Sequence, residues 1–274
     1  MTIRHILFFD YTKEFSWSRL WSKVYNLSYM SKLTRKERNF LEREQELIQL
    51  ALEIMHDDGF AGLTMDKLTA RSDFSKGTIY NHFTCKEDVL SAIGISCLNE
   101  LNSLFTRAMA FQGRPRERLI AVHIAYMLNA RLKPDQFMCV LSCKTSTVTE
   151  KASEKRRLVS FDKETELLAL LNSLVKDAEE AGDLDVLKSR SIEAVTFCNW
   201  SMSFGTLALM MRAEEAQIVK KLDMQEALLH NICVSLDGLG WKPLSRDWDY
   251  HKTVERIHKE VFAKEMEILK QQEH

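Results

Sequence analysis

Apolar side chains along this chain recur every three or four positions, the period of helices rather than of strands. Leu47, Ile48, Ala51, Ile54 and Met55 form such a stripe and predict a helix over Leu41–Asp58, stopped by Asp57-Asp58-Gly59. A longer helix is predicted from Thr84 to about Phe111. Leu90, Ile93, Cys97, Leu101, Leu104 and Ala108 share one of its faces, and Thr84 and Glu87 have capping-box spacing. Gly113-Arg114-Pro115 breaks it. Helices follow over Glu117–Leu132, Gln136–Thr145, Lys151–Ala181, Lys188–Arg212, Met224–Leu239 and Trp248–Gln272. In Lys151–Ala181 the stripe from Leu158 and Phe161 through Leu168 to Leu174, Val175 and Ala178 is expected to pack. Ala194–Met211 is apolar on nearly every side, which asks for burial on two faces, one on the core and one on a second subunit.

Between the first two helices lies the stretch that organises the rest, Thr64–Phe83, TMDKLTARSDFSKGTIYNHF. It reads as two short helices joined by a tight turn. Thr64 is the N-cap of the first, and Asp66 suits the positive end of its dipole. Met65, Leu68 and Thr69 give it a short buried face. Ser72-Asp73 ends it, where a left-handed residue is wanted and Asp tolerates that conformation. Ser75 caps the second helix, Lys76–Phe83, whose apolar side is Ile79 and Phe83. Its other side carries Lys76, Gly77, Thr78, Tyr80, Asn81 and His82. That set suits DNA. Lys donates to guanine or phosphate, Thr offers a methyl to thymine, and Asn pairs with adenine. Gly77 lets the backbone come close. Tyr80 and His82 can donate to phosphate oxygens. Two helices, a short turn and a polar second helix form a helix-turn-helix.

From Thr64 to Leu90 the chain reads T-M-x-x-L-x-x-x-S-x-F-S-K-G-T-I-Y-N-H-F-x-x-K-E-x-x-L. This resembles the DNA-binding domain of the TetR (tetracycline repressor) family. The close match runs from Arg43 to about Ala92, under a quarter of the chain. It departs from the family's usual pattern at Thr69, Ser72, Asp73 and Cys85, and Asp73 adds a negative charge near the DNA face. The resemblance implies an all-α chain with an N-terminal three-helix DNA-binding domain and a larger C-terminal helical domain for ligand binding and dimerisation. The expected divisions are an N-terminal extension (1–40), the helix-turn-helix domain (41–92), an effector-binding and dimerisation domain (93–242) and an extra C-terminal helix (243–274). It further implies a homodimer paired through Lys188–Arg212 and Met224–Leu239, bound to a palindromic double-stranded operator. Thr64, Tyr80, His82 and Lys86 would contact phosphates, and Lys76, Thr78 and Asn81 bases, with Ser75 and Gly77 at the same surface.

Composition agrees with the helical reading: glycine and proline number only nine and three, and Leu, Ala, Glu, Lys and Met are common. Net charge is −1, so DNA binding has to come from a local basic surface. Six cysteines at irregular spacing, with no C-x-x-C, fit reduced thiols and a cytoplasmic location. No apolar run approaches ~18 residues, so no membrane span is expected. Met1–Tyr29 holds Phe15, Trp17, Trp21, Tyr25 and Tyr29 among basic residues. It reads as an over-long start, as a helix docked on the body, or as a basic arm for a minor groove. Lys32, Arg35, Lys36 and Arg38 then offer charge to phosphates.

No G-x-S-x-G, phosphate-binding glycine loop or dinucleotide fingerprint occurs, and no cofactor, metal or catalysis is expected. Cys139 and Cys143, with His123 upstream, fall short of a zinc set and read as packed thiols. Cys85 opens the long helix beside the DNA surface and reads as structural. His123, Tyr126, Met127, Trp200 and Phe204 are large or soft side chains on buried faces, candidates for an effector pocket between helices. No charged cluster accompanies them, which favours an apolar or weakly polar effector. The function expected is an effector-responsive repressor, with Thr84–Phe111 as the lever between effector and DNA. The alternative is a helical protein-interaction module on the same fold that has lost operator binding.

Overall fold

The computed structural model describes residues 34–185, 191–211 and 217–272. The readings made of residues 1–33, of 188–190 and of Arg212 lie outside them. Among the described residues every regular element is helical. The chain divides into two units, Met1–Gln49 and Leu50–His274, and the division falls within the first helix.

In the first unit, Thr34 precedes α1 (Arg35–Asp58) and exchanges hydrogen bonds with Glu37 through both its hydroxyl and its amide. This reciprocal cap starts the helix six residues before the expected Leu41. The added turns are polar, so apolar periodicity gave no sign of them.

In the second unit, a single 3-10 turn (Phe60–Gly62) leads to α2 (Met65–Arg71) and α3 (Lys76–His82). Then come α4 (Lys86–Met109), α5 (Pro115–Leu132), α6 (Pro134–Cys139) and α7 (Ser146–Lys151). They are followed by α8 (Glu154–Glu180), α9 (Ile192–Met210), α10 (Met224–Gly238), α11 (Tyr250–Glu260) and α12 (Ala263–Gln272). Helix α5 is buried all round: Ile120, Ala121, Ile124, Ala125, Met127 and Leu128 are fully enclosed. It is the axis on which α4, α6 and α8 to α12 pack.

Four helices of this unit differ from expectation. The one read over Gln136–Thr145 runs from Pro134 only to Cys139 as α6, and a separate 3-10 turn covers Ser142–Lys144. Helix α4 begins at Lys86 because Thr84 does not cap it: the Thr84 amide and hydroxyl both donate to Asp88, at 3.1 and 2.9 Å, and no side chain caps the helix at Cys85. The helix expected over Lys151–Ala181 starts at Glu154: Lys151 closes α7, and the Ser153 amide donates to Asp88 Oδ1 at 2.8 Å. Only Leu174, Val175 and Ala178 of α8 are buried, whereas Leu158, Phe161 and Leu168 are exposed. The C-terminal helix breaks at Val261-Phe262. Phe262 is fully buried there, and Arg107 of α4 donates to the Val261 carbonyl and to Glu265. Glu117 and Arg116 of α5 receive α11 through Thr253 and the Tyr250 ring. Helices α11 and α12 thus brace α4 and α5.

Candidate nucleic-acid interface and effector cavity

The helix-turn-helix is fixed by its own hydroxyls. Thr64 Oγ1 accepts from the Lys67 amide at 3.1 Å. At the other end of α2, Ser72 is extended (φ −91°, ψ 144°), and its Oγ accepts from the Phe74 amide at 3.1 Å. Ser75 Oγ accepts from the Thr78 amide at 3.2 Å and lies 2.9 Å from the Thr78 hydroxyl. Each cap satisfies an amide that the helix start leaves open. Ile79 and Phe83 are fully buried, as are Leu63 and Leu68 before them.

The opposite side of α3 is open. Lys76, Gly77, Tyr80 and Asn81 are exposed and Thr78 is half-buried, with Ser75 and Thr64 exposed at the two caps. The Lys76 ammonium lies 5.7 Å from the centre of the Tyr80 ring. A Cβ on Gly77 would meet nothing nearer than Ser75 Oγ at 3.9 Å, so nothing within the chain demands glycine there. Two residues differ from expectation. His82 is only 7% exposed and sits with Phe83 on the inner side, its ring 6.1 Å from that of Phe83. Its place in the last turn of a seven-residue helix carries it round from the polar face. Lys86 bends back, its Nζ donating to the Phe60 carbonyl at 3.2 Å over the Phe60 ring. The cations of α2 are also engaged: Lys67 with Asp58 at 3.1 Å and Arg71 with Asp57 at 2.7 Å. Asp73 is exposed.

A fastening that the sequence did not disclose holds the end of α3. Arg156 of α8 donates to the His82 carbonyl at 3.0 Å, and its guanidinium lies 4.9 Å from the centre of the Phe83 ring. Its Nε is 3.6 Å from Asp88 Oδ1. Burial alone would raise the Asp88 carboxyl, but the Ser153 and Thr84 amides and hydroxyls outweigh it and hold it below the ordinary value. Beside it the Cys85 thiol donates to the Lys151 carbonyl at 3.6 Å, and Lys151 pairs with Glu87 at 3.3 Å.

Of the five side chains expected in an effector pocket, three come together. His123, Tyr126 and Trp200 line a cavity of about 40 Å³, joined by Asn199, Ser203 and Trp241. Met127 is fully buried elsewhere, since one helical step turns it away from Tyr126. Phe204 lies outside the lining, tilted between Phe137 and Trp200, with ring centres 5.5 and 6.0 Å apart. His123 Nδ1 shares a 2.5 Å hydrogen bond with the Ser203 hydroxyl. Burial pushes its imidazole down to about 4, against an upward pull from the neighbouring Asn199 side chain. Burial likewise pushes the Cys139 and Cys143 thiols up, to about 11 and about 12. Among the described residues no cluster of three or more His, Cys, Asp or Glu could hold a metal ion. Nor is any described helix long and apolar enough to cross a membrane.

Residues 47–93 match the family described as bacterial regulatory proteins, tetR family. These residues therefore carry that family's N-terminal module. No curated protein matches it in sequence. Among solved structures, a bacterial regulatory protein of the tetR family from Rhodococcus RHA1 is 17% identical, with a TM-score of 0.57 over 72% of this chain and 97% of that one. The TetR-family regulator PfmR from Thermus thermophilus is 18% identical, with a TM-score of 0.54 over 70% and 98%. FadR from Bacillus subtilis, solved in complex with stearoyl-CoA, is 13% identical, with a TM-score of 0.56 over 71% and 98%. At these identities the likeness is one of fold.

Proposed function

We propose that this protein is an effector-responsive transcriptional repressor that binds a palindromic operator as a homodimer. The observation that carries the reading is the exposed face of α3. Lys76, Gly77, Tyr80 and Asn81 stand open on a helix whose other side, Ile79 and Phe83, is fully buried. Such a helix can enter a major groove without losing core contacts, with Lys76, Thr78 and Asn81 toward base edges and Thr64, Ser75 and Tyr80 toward phosphates. Two-fold symmetry then sets half-site centres about 34 Å apart.

The pairing surface is α9 with α10. Phe197, Leu209 and Val234 are exposed on these two helices at 62%, 57% and 60%, which supports a partner surface there. The effector is a small molecule held between α5, α8 and α9. That the FadR structure holds stearoyl-CoA supports a ligand in a chain of this fold. Binding would tilt α4 and move the two copies of α3 out of register, through a coupling of typically ~1–3 kcal/mol.

Selection of bound sites from random duplexes tests the reading. Recovery of an inverted repeat, bound by a dimer with strong salt dependence, is expected. A second reading, an interaction module without operator binding, draws on the exposed Asp73 and on the pairing of Lys67 and Arg71 with Asp58 and Asp57. No enriched sequence, and no duplex bound at low salt, would favour it.

A further inference from the structure

The chemistry of the cavity limits what can fill it. Among its lining residues there is no Asp, Glu, Lys or Arg. Its walls are mostly aromatic and aliphatic, Phe105, Tyr126 and Val175 among them. A charged ligand group would lie there without a counter-charge, which costs far more than a neutral polar group does. Three buried polar atoms on lining residues nevertheless lack a hydrogen bond of normal geometry: Trp241 Nε1, and Asn199 Oδ1 and His123 Nε2, whose side chains are close enough for Asn199 to favour the protonated imidazole.

Their roles are largely fixed. The indole can only donate. The Asn199 amide nitrogen is committed to the Val195 carbonyl at 2.8 Å, so its oxygen is left as an acceptor. His123 adapts: its Nε2 donates or accepts according to which partner of the Ser203 bond holds the proton. A fixed donor, a fixed acceptor and an adjustable third group in an apolar enclosure match a neutral group that both gives and takes a hydrogen bond.

We propose that the cavity binds an uncharged molecule with an apolar body and a hydroxyl, a phenol or alcohol, whose oxygen accepts from Trp241 and whose proton goes to Asn199 or His123. This rests on the reading that an effector sits between these helices, and it narrows that effector to neutral hydroxylic compounds. At about 40 Å³ the cavity holds a few waters and is smaller than the roughly 150 Å³ known to take a benzene ring. A ring-sized ligand therefore has to push side chains aside, and Trp200, 39% exposed, has solvent on one side to move into. The binding-competent form is thus wider than the empty one, as a ligand-driven change of state requires.

Three probes of one size separate the chemistries: p-cresol, toluene and p-toluate, titrated into the full-length protein without DNA. Tryptophan fluorescence and thermal unfolding report binding. We expect p-cresol to bind saturably, roughly tenfold or more tighter than toluene, with p-toluate weakest. Asn199→Leu keeps the bulk of its side chain and Trp241→Phe keeps one aromatic ring without the N–H; each should bring p-cresol down to the affinity of toluene. Binding of p-toluate as tight as p-cresol would overturn the proposal, as would an unchanged preference in both variants. Failure of all three probes to bind would mean that the cavity holds only water. Because DNA is absent, a ligand that binds but leaves operator affinity unchanged counts against the repressor reading and not against this one.

Discussion

Arg156, in the first turn of α8, donates to the carbonyl of His82, the last residue of α3, at 3.0 Å while its guanidinium covers the Phe83 ring. The carbonyl at the end of a short helix has no partner within it, and an arginine from the body supplies one. The same side chain lies near Asp88, which in turn holds Thr84 and Ser153. The end of α3 is thereby tied both to the start of α4 and to the start of α8.

Removing that tie should loosen α3 before it harms the fold. Arg156→Ala leaves the His82 carbonyl and the buried Asp88 carboxylate less well partnered, at a cost of about 1–3 kcal/mol. Amide exchange over Gly77–Phe83 should quicken and DNA affinity should fall. Arg156→Lys should recover only part of the loss, since an ammonium does not stack on a ring as a guanidinium plane does. Exchange unchanged in Arg156→Ala would show that α3 needs no help from α8.

Gly77 gives a test in which stability and function part company. A methyl there meets open space within the chain, so Gly77→Ala should stabilise the protein by up to about 1 kcal/mol through helix propensity. If the backbone at Gly77 approaches DNA, the same methyl should weaken operator binding by about 1–3 kcal/mol. Thermal unfolding and a DNA titration on one sample decide it. A stabilised variant with unchanged affinity would remove Gly77 from the interface.

Lys76 is assigned to a base edge. Lys76→Ala should cost about 1–3 kcal/mol on the best site and relax specificity at one position. Equal loss on all sequences, with the salt slope lowered by about one, would make it a phosphate contact instead.

Acid stability should show two separable contributions. His123 binds its proton at about 4 when folded, below its ordinary value near 6.5. The unfolded chain holds more protons between those values, so stability falls as pH drops through that window, by up to about 3 kcal/mol. His123→Gln should flatten this limb of a denaturant midpoint-versus-pH curve. The Asp88 carboxyl is likewise depressed. Its contribution is complete above the unfolded carboxylate value of about 4 and is lost as pH falls through the folded value. Asp88→Asn should therefore flatten only the more acidic part of the curve.

The parts of this structure that the sequence made legible are the local ones. Thr64 and Ser75 cap helices through amides three residues away, and Ile79 and Phe83 share a face because they are four apart. Such relations lie within reach of one helical turn. The inward turn of His82 was not legible, since a residue at the edge of a stripe belongs to either face until the neighbouring elements are in place. Nor was the true partner of Thr84. Its spacing to Glu87 looked like a capping box, but Asp88 wins because Ser153 and Arg156, more than sixty positions on, fix that carboxylate. The cavity shows the same division. Helical period brings His123 and Tyr126 to one face, while Asn199 and Trp241 join them only through packing.

Helix α8 begins at Arg156's tie to α3, and its Leu171 and Val175 line the cavity fifteen or more residues further along. A straight helix of that span is roughly 22 Å long. One beam therefore touches both the cavity and the end of α3, in parallel with α4. This bears on attempts to graft the DNA-reading segment onto another body by cutting near Ala92. The graft would leave behind an anchor encoded 74 positions downstream of His82, so a chimaera that keeps operator binding and its response to ligand has to carry the head of α8 with it.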